Sequence, residues 1–270
     1  LEREVALKRL KLGMAEQELH RARFFREAKI TGRLDHPGVV PIYDFTTSED
    51  GRHCFYTMRF IRGRTLREVL QAFHREHVTD GRMTVGGELL QLLGYFLSVC
   101  NTVAFAHSRR VIHRDLKGDN VIVGEFGEVL VLDWGLAKDL SEAGSPEETP
   151  PVIGLHLGAR DDETTPGHPF GTPSYMSPEQ ALGEVTRIDE RTDVYGLAAI
   201  LYEILAGRPP FGGDDIEAVV HDVITRPPPP PSAVVIGVPP ELEAICLRGL
   251  AKLPGERQES AAALASEVRT

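Results

Sequence analysis

Two short β-branched runs, each followed closely by a cluster of polar residues, limit what this chain can fold into more than any other feature. The first lies in VIHRDLKGDNVIV, residues 111–123, and the second in VLVLDWGLAK, residues 129–138. Valine- and isoleucine-rich runs of this length read as buried strands. Each delivers polar residues at one end, so Asp115, Lys117, Asn120 and Asp133 are placed to converge on one cleft. The set suits phosphoryl transfer. Mg²⁺ takes hard oxygen ligands, which Asp133 and the amide oxygen of Asn120 supply. A metal-free carboxylate, Asp115, can orient a hydroxyl and accept its proton, and Lys117 can neutralise charge on the moving group. Any one of these residues alone would more often cap a turn or carry surface charge. Their order makes coincidence improbable.

The rest of the chain changes character along its length. Residues 15–34 have helical periodicity, with Leu19, Phe24 or Phe25, Ile30 and Leu34 at three- to four-residue steps. Pro37 and Gly38 stop that helix. VVPIYDF and HCFYTMRFI read as two strands joined by a polar turn. From about residue 65 helices dominate, the longest near 87–108 and another near 191–206. A small strand-rich part therefore precedes a larger helical part. Residues 139–170, rich in Pro, Gly, Glu and Asp, read as a mobile loop. The five prolines at 227–231 read as a stiff extended connector. The chain has no internal repeat.

At 270 residues with 41% apolar and 26% charged content, this is one large globular domain or two lobes. The net charge of -10 argues against nucleic-acid and anionic-membrane binding, since phosphates demand a basic face. Cys54, Cys100 and Cys246 stand far apart without CxxC spacing, as buried reduced thiols of a cytoplasmic protein would. No apolar run reads as a membrane span of about 20 residues, and no signal peptide precedes the first strand.

These motifs resemble the eukaryotic-like protein kinases, most closely their bacterial serine/threonine branch. The resemblance covers essentially the whole chain. It implies an α+β, two-lobed fold, with a small antiparallel-sheet lobe over 1–61 and a larger, mainly helical lobe over 62–270. Val5-Ala6-Leu7-Lys8 is similar to the strand whose lysine holds the α- and β-phosphates of ATP, and Glu27 falls where that lysine has its ion-pair partner. HRDLKGDN resembles the catalytic loop, with Asp115 as base and Asn120 as metal ligand; DWG stands at the usual Asp-Phe-Gly, with Asp133 as the main Mg²⁺ ligand. GTPSYMSPE, residues 171–179, resembles the end of the activation segment. Asp193 matches a helix aspartate that braces the catalytic loop, and Arg257 an arginine that pairs with Glu179. MRFIRGRTL resembles the hinge. Met58 would lie beside adenine, backbone groups of Arg59 and Ile61 would bond it, and Ala6 and Ile122 would sandwich the ring. Lys117, with Thr172 able to bond both it and Asp115, implies serine or threonine acceptors rather than tyrosine.

The resemblance thus implies transfer of the ATP γ-phosphoryl group to protein substrates, with Mg²⁺ or Mn²⁺. Several departures bear on it. Trp134 replaces the usual Phe, and its ring is expected to pack under the helix bearing Glu27. Gly118 replaces a commoner proline, and Arg59 and Thr65 stand where some relatives carry acidic substrate contacts. Asp119 and Glu203 match acidic positions that some relatives use against an arginine two residues before the acceptor, which implies a basic peptide preference. Arg114 matches an arginine that answers an activating phosphate, expected on Thr164 or Thr165. No Gly-x-Gly occurs anywhere, and seven residues precede Lys8. The expectation is a fragment without the family's first two strands and Gly-rich loop, leaving Val5 and Leu7 on an exposed edge. The missing loop is also the one feature favouring the alternative, a catalytically weak pseudokinase or docking scaffold. A small-molecule kinase is a third reading, weakened by the substrate-docking look of GTPSYMSPE.

Overall fold

A computed structural model of the chain describes residues 3–10, 18–48, 54–83, 86–141 and 173–270. Near the N-terminus β1 (Val5–Arg9), β2 (Ile42–Thr47) and β3 (Cys54–Arg59) form an antiparallel sheet in the order β1-β3-β2. Along β1 the side chains alternate, so Ala6 and Lys8 face inward while Val5 and Leu7 are exposed. Helix α1 (Glu18–Arg33) packs on this sheet with Phe24, Ala28 and Ile30 buried. Of the two adjacent phenylalanines, Phe24 is buried and Phe25 is exposed.

After α1, Gly38 brings the backbone against the larger part of the molecule. A Cβ there would lie 2.0 Å from Thr102 Oγ1, so any other residue would push the segment away. The close approach lets Val131 N–H donate to Gly38 O at 2.8 Å. Strand β4 (Gly63–Thr65) leads into α2 (Leu66–His77). Thr65 starts that helix with a capping box: its hydroxyl accepts from Glu68 N–H at 3.2 Å, and Glu68 Oε2 accepts from Thr65 N–H at 2.8 Å. Thr65, which stands where some relatives carry an acidic substrate contact, is here a helix cap.

A small hairpin, β5 (Val78–Thr79) and β6 (Arg82–Met83), precedes α3 (Gly87–Ser108). Composition and length make α3 apolar enough to cross a membrane, which corrects the reading that no such run exists. Half of its apolar window is buried, with Leu92, Phe96, Val99 and Val103 packed into the core. A helix enclosed in a core is apolar for the same reason as a membrane span.

Strands β7 (Val111–Ile112), β8 (Val121–Gly124), β9 (Val129–Val131) and β10 (Lys138–Asp139) follow, with β10 pairing β7 and the order β4-β8-β9 in the other ladder. The remaining helices are α4 (Pro178–Ala181), α5 (Glu190–Ala206), α6 (Ile216–Thr225), α7 (Pro240–Gly249) and α8 (Ala261–Arg269). Helix α5 is the centre of the core, buried almost all round from Thr192 to Ala206. The proline run carries no regular element until Pro231 opens a short 3₁₀ turn between α6 and α7. All three cysteines are buried.

Candidate active site

The antiparallel register of β8 and β9 pairs Val121 with Val131. Asn120, just before β8, and Asp133, just after β9, therefore sit at the same end of the ladder. Leu132 N–H donates to Asn120 O at 2.8 Å and fixes that end. Asp115 lies in the loop entering this corner. Lys117 Nζ donates to its two carboxylate oxygens at 2.8 and 3.1 Å, and Asn120 Nδ2 donates to its Oδ2 at 2.9 Å and its backbone O at 2.8 Å. With its Nδ2 bonded to Asp115, the amide of Asn120 directs Oδ1 away from the carboxylate.

On the opposite side, Lys8 Nζ is 2.5 Å from Glu27 Oε1 and 3.1 Å from Asp133 Oδ1. The lysine is thus shared between α1 and the segment that follows β9. Burial pulls its pKa down, but the carboxylates of Asp133 and Glu27 outweigh burial and hold it above its ordinary value. Burial pushes the Asp133 carboxyl up, and Lys8 beside it more than reverses that. Lys8 and Asp133 thereby hold each other in their charged forms.

Backbone strain accompanies the site. Arg114 (φ 67°) and Asp133 (φ 57°) both adopt left-handed backbone. Each such residue costs of order 1–3 kcal/mol and persists where its surroundings over-determine it. For Arg114 those surroundings are explicit: its N–H donates to Asp193 at 2.8 Å, its Nε to Leu136 O at 2.5 Å, and its carbonyl accepts from Gln180 Nε2 at 2.8 Å. Asp193, on α5, also accepts from His113 N–H and His107 Nε2, each at 2.8 Å. This is the bracing expected of it. Trp134 is buried between the catalytic loop and the core, its ring centre 4.6 Å from that of His113. Glu179 and Arg257 form a fully buried bidentate pair at 2.7 and 2.8 Å.

Ala6 and Met58 are cross-strand partners on β1 and β3, while Ile122 lies on β8 opposite Thr65. Arg59 closes β3 and donates its N–H to Pro41 O at 3.2 Å, and Ile61 lies in the segment joining β3 to β4. Thr172, Thr164 and Thr165 lie outside the described residues. Glu203 is not a free acid facing substrate: it is buried and accepts a 2.7 Å bond from Tyr175 Oη.

Sequence reasoning missed four supporting residues. Tyr56 Oη donates to Glu27 Oε1 at 2.7 Å, beside the Lys8 bond. Its signal was available, because Tyr56 pairs directly with Lys8 and places a polar tip on the inward face of β3. His107 and Gln180 gave no such signal; both are recruited by packing between distant segments. Arg33, in the last turn of α1, bonds the buried Asp139 at 3.0 Å and ties α1 to β10.

Burial raises the carboxyls of Asp193 and Glu179, but their hydrogen bonds, from His107 and Arg257 foremost, carry both below the usual range. A depressed folded pKa contributes stability above the unfolded value, about 4 for these acids, and loses it as pH falls through the folded value. Burial raises Glu203, which acts in the opposite sense. Asp133 and Asp139 are depressed as well, which makes four such carboxyls against one raised, and burial lowers His36 and His74, so the denaturant midpoint is expected to start falling below about pH 6.5 and to fall further below about 4. A midpoint unchanged down to pH 3 would contradict this.

Among the described residues no three His, Cys, Asp or Glu side chains cluster as a metal site. Asp133 and Asn120 offer two hard oxygens, a donor set that fits Mg²⁺ when substrate phosphates and water complete its shell.

Comparison with known proteins gives a consistent result. Residues 1–265 match the family described as the protein kinase domain. The chain is 39% identical over 211 residues to serine/threonine-protein kinase PknD of Protochlamydia amoebophila, covering 78% of this chain and 21% of that protein. It is 36% identical over 269 residues to PknD of Chlamydia caviae, covering 98% of this chain and 28% of that one. For PknD of Chlamydia pneumoniae the figures are 35% over 274 residues, 99% and 28%. The chain spans between a fifth and a third of the length of these relatives.

Proposed function

The chain belongs to the protein kinase domain family, and on that premise we propose that it transfers the ATP γ-phosphoryl group to serine and threonine hydroxyls of proteins. The observation that carries this is that Lys8 bridges Glu27 and Asp133 while Lys117 and Asn120 both bond Asp115, with Asn120 and Asp133 at the same end of the β8–β9 ladder. Asp115 takes the proton of the attacking hydroxyl as its oxygen bonds to phosphorus and the bond to the ADP oxygen breaks. Lys117 holds that carboxylate in place and offers positive charge to the transferred group. Lys8, oriented by Glu27 and Tyr56, binds the phosphates. Asn120 and Asp133 would hold Mg²⁺, which supplies charge neutralisation between the phosphate oxygens. Ala6, Met58, Ile122 and the backbone of Arg59 and Ile61 would receive adenine, and Thr172 would join Lys117 at the acceptor. A lobe boundary after residue 61 is supported by β1 to β3 laddering among themselves while β4 ladders with β8. A domain that consumes ATP and holds three buried cysteines far apart in sequence suits the cytoplasm.

The test is phosphoamino-acid analysis of a mixed protein substrate after incubation with labelled ATP and Mg²⁺. Label on serine and threonine is expected. Label confined to tyrosine, or none on protein, would contradict the proposal.

A further inference from the structure

We propose that Arg67 fills, from within the chain, a guanidinium site beside the catalytic loop, and so makes the reaction indifferent to arginine near the acceptor. The inference rests on the transfer reading above and reverses the basic preference that Asp119 and Glu203 imply in the sequence.

Arg67 is the second residue of α2. Its Nη2 lies 2.9 Å from Asp119 Oδ2 and donates to Tyr175 Oη at 3.1 Å, and Tyr175 Oη donates onward to Glu203 Oε2. The guanidinium carbon is 5.7 Å from the centre of the Tyr175 ring. Two carboxyls and a phenol thus surround one guanidinium, the planar donor that such a group suits. The Arg67 side chain is 19% exposed and that of Asp119 43%, so the site opens to solvent on the Asp119 side. Asp119 adjoins Asn120 and lies two residues beyond Lys117, both of which bond Asp115. The opening therefore borders the place where an acceptor hydroxyl must lie.

Two further observations show that the chain is built for this contact. A Cβ on Gly118 would stand 3.1 Å from Arg67 N and 3.2 Å from Arg67 Cβ. A side chain there would crowd the first turn of α2, so Gly118 lets that turn lie close to the catalytic loop. A cation in a helix's first turn also opposes the helix dipole. Arg67 is held there by the acids it meets. An arginine arriving on a substrate would find those acceptors occupied and a like charge between them.

The test uses paired serine peptides that differ in carrying arginine or its neutral isostere citrulline at the positions preceding the acceptor. With the wild-type protein, kcat/KM for the two should agree within about twofold. Arg67→Ala should raise the arginine-to-citrulline ratio at least about tenfold, the scale of a close charge pair. The gain should come through KM, with kcat on the citrulline peptide unchanged, and adding Asp119→Asn should remove it. Arg67→Gln serves as a second variant that keeps the helix start polar. A binding arm uses fluorescence anisotropy of the labelled arginine peptide. Tighter binding by Arg67→Ala than by wild type supports the site even if neither peptide is phosphorylated, and in that case the transfer reading alone fails. A wild-type preference for arginine of about tenfold, or no gain in binding or turnover in either Arg67 variant, would overturn the proposal.

Discussion

Asp115→Asn is expected to lower kcat by about 10²–10⁴, the range that a positioned general base contributes. The carboxylate accepts from Lys117 and Asn120, and both contacts lie on the site that would take the hydroxyl proton. The amide keeps the shape but loses an acceptor, and it turns N–H groups towards the Lys117 ammonium and the Asn120 amide. ATP affinity should change little, because Lys8, Glu27 and Asp133 bond one another and not Asp115. Steady-state rates against a protein substrate, with nucleotide affinity measured in parallel, check both parts. A variant that turns over within tenfold of wild type would remove Asp115 from the proposed role.

Asp133→Asn should have an effect of similar size for a different reason. The substitution replaces an anionic oxygen with a neutral one, which a hard divalent cation holds poorly. It also leaves Lys8 with Glu27 as its sole carboxylate among these contacts. Removing one preorganised electrostatic group of this kind costs about 10²–10³ in kcat. The Mg²⁺ concentration giving half-maximal rate should rise as well. The fold should survive, because asparagine is among the non-glycine residues that best tolerate the left-handed backbone at this position. An unchanged melting temperature with lost transfer is the expected pairing. Lost transfer with a collapsed melting temperature would make Asp133 a structural residue.

Much of this site is legible from sequence because its parts are carried by local patterns. Two β-branched strands joined by a short turn must pair, and pairing places Asn120 and Asp133 at one end. Helix α1 keeps Glu27 on the same face as Phe24 and Ile30, so its facing the sheet follows from periodicity. The long-range partners Asp193, Glu179 and Arg257 could be named from the family resemblance, and all three are buried and bonded as that resemblance implies.

The contacts that sequence could not show are those decided by where segments land. Glu203 reads as an acid on a helix; the structure buries it under Tyr175. Arg67 is not singled out in the sequence; Gly118 brings the start of α2 against the catalytic loop and sets Arg67 beside Asp119. Thr65, which stands where some relatives carry an acidic substrate contact, closes a capping box. The apolarity of α3 reflects enclosure in the core, which neither its length nor its composition distinguishes from a membrane span.

The proposed function rests on one chemical statement: a hydroxyl on protein receives the γ-phosphoryl group in a cleft defined by Asp115 and Asp133. Single-turnover transfer from labelled ATP to a serine- and threonine-containing protein, run with the wild-type protein, Asp115→Asn and Asp133→Asn at matched folded concentration, tests it most directly. The expected result is label on serine or threonine with the wild type and a rate lower by about a hundredfold or more in each variant. Equal labelling by all three proteins would show that phosphate transfer, if present, does not pass through this cleft.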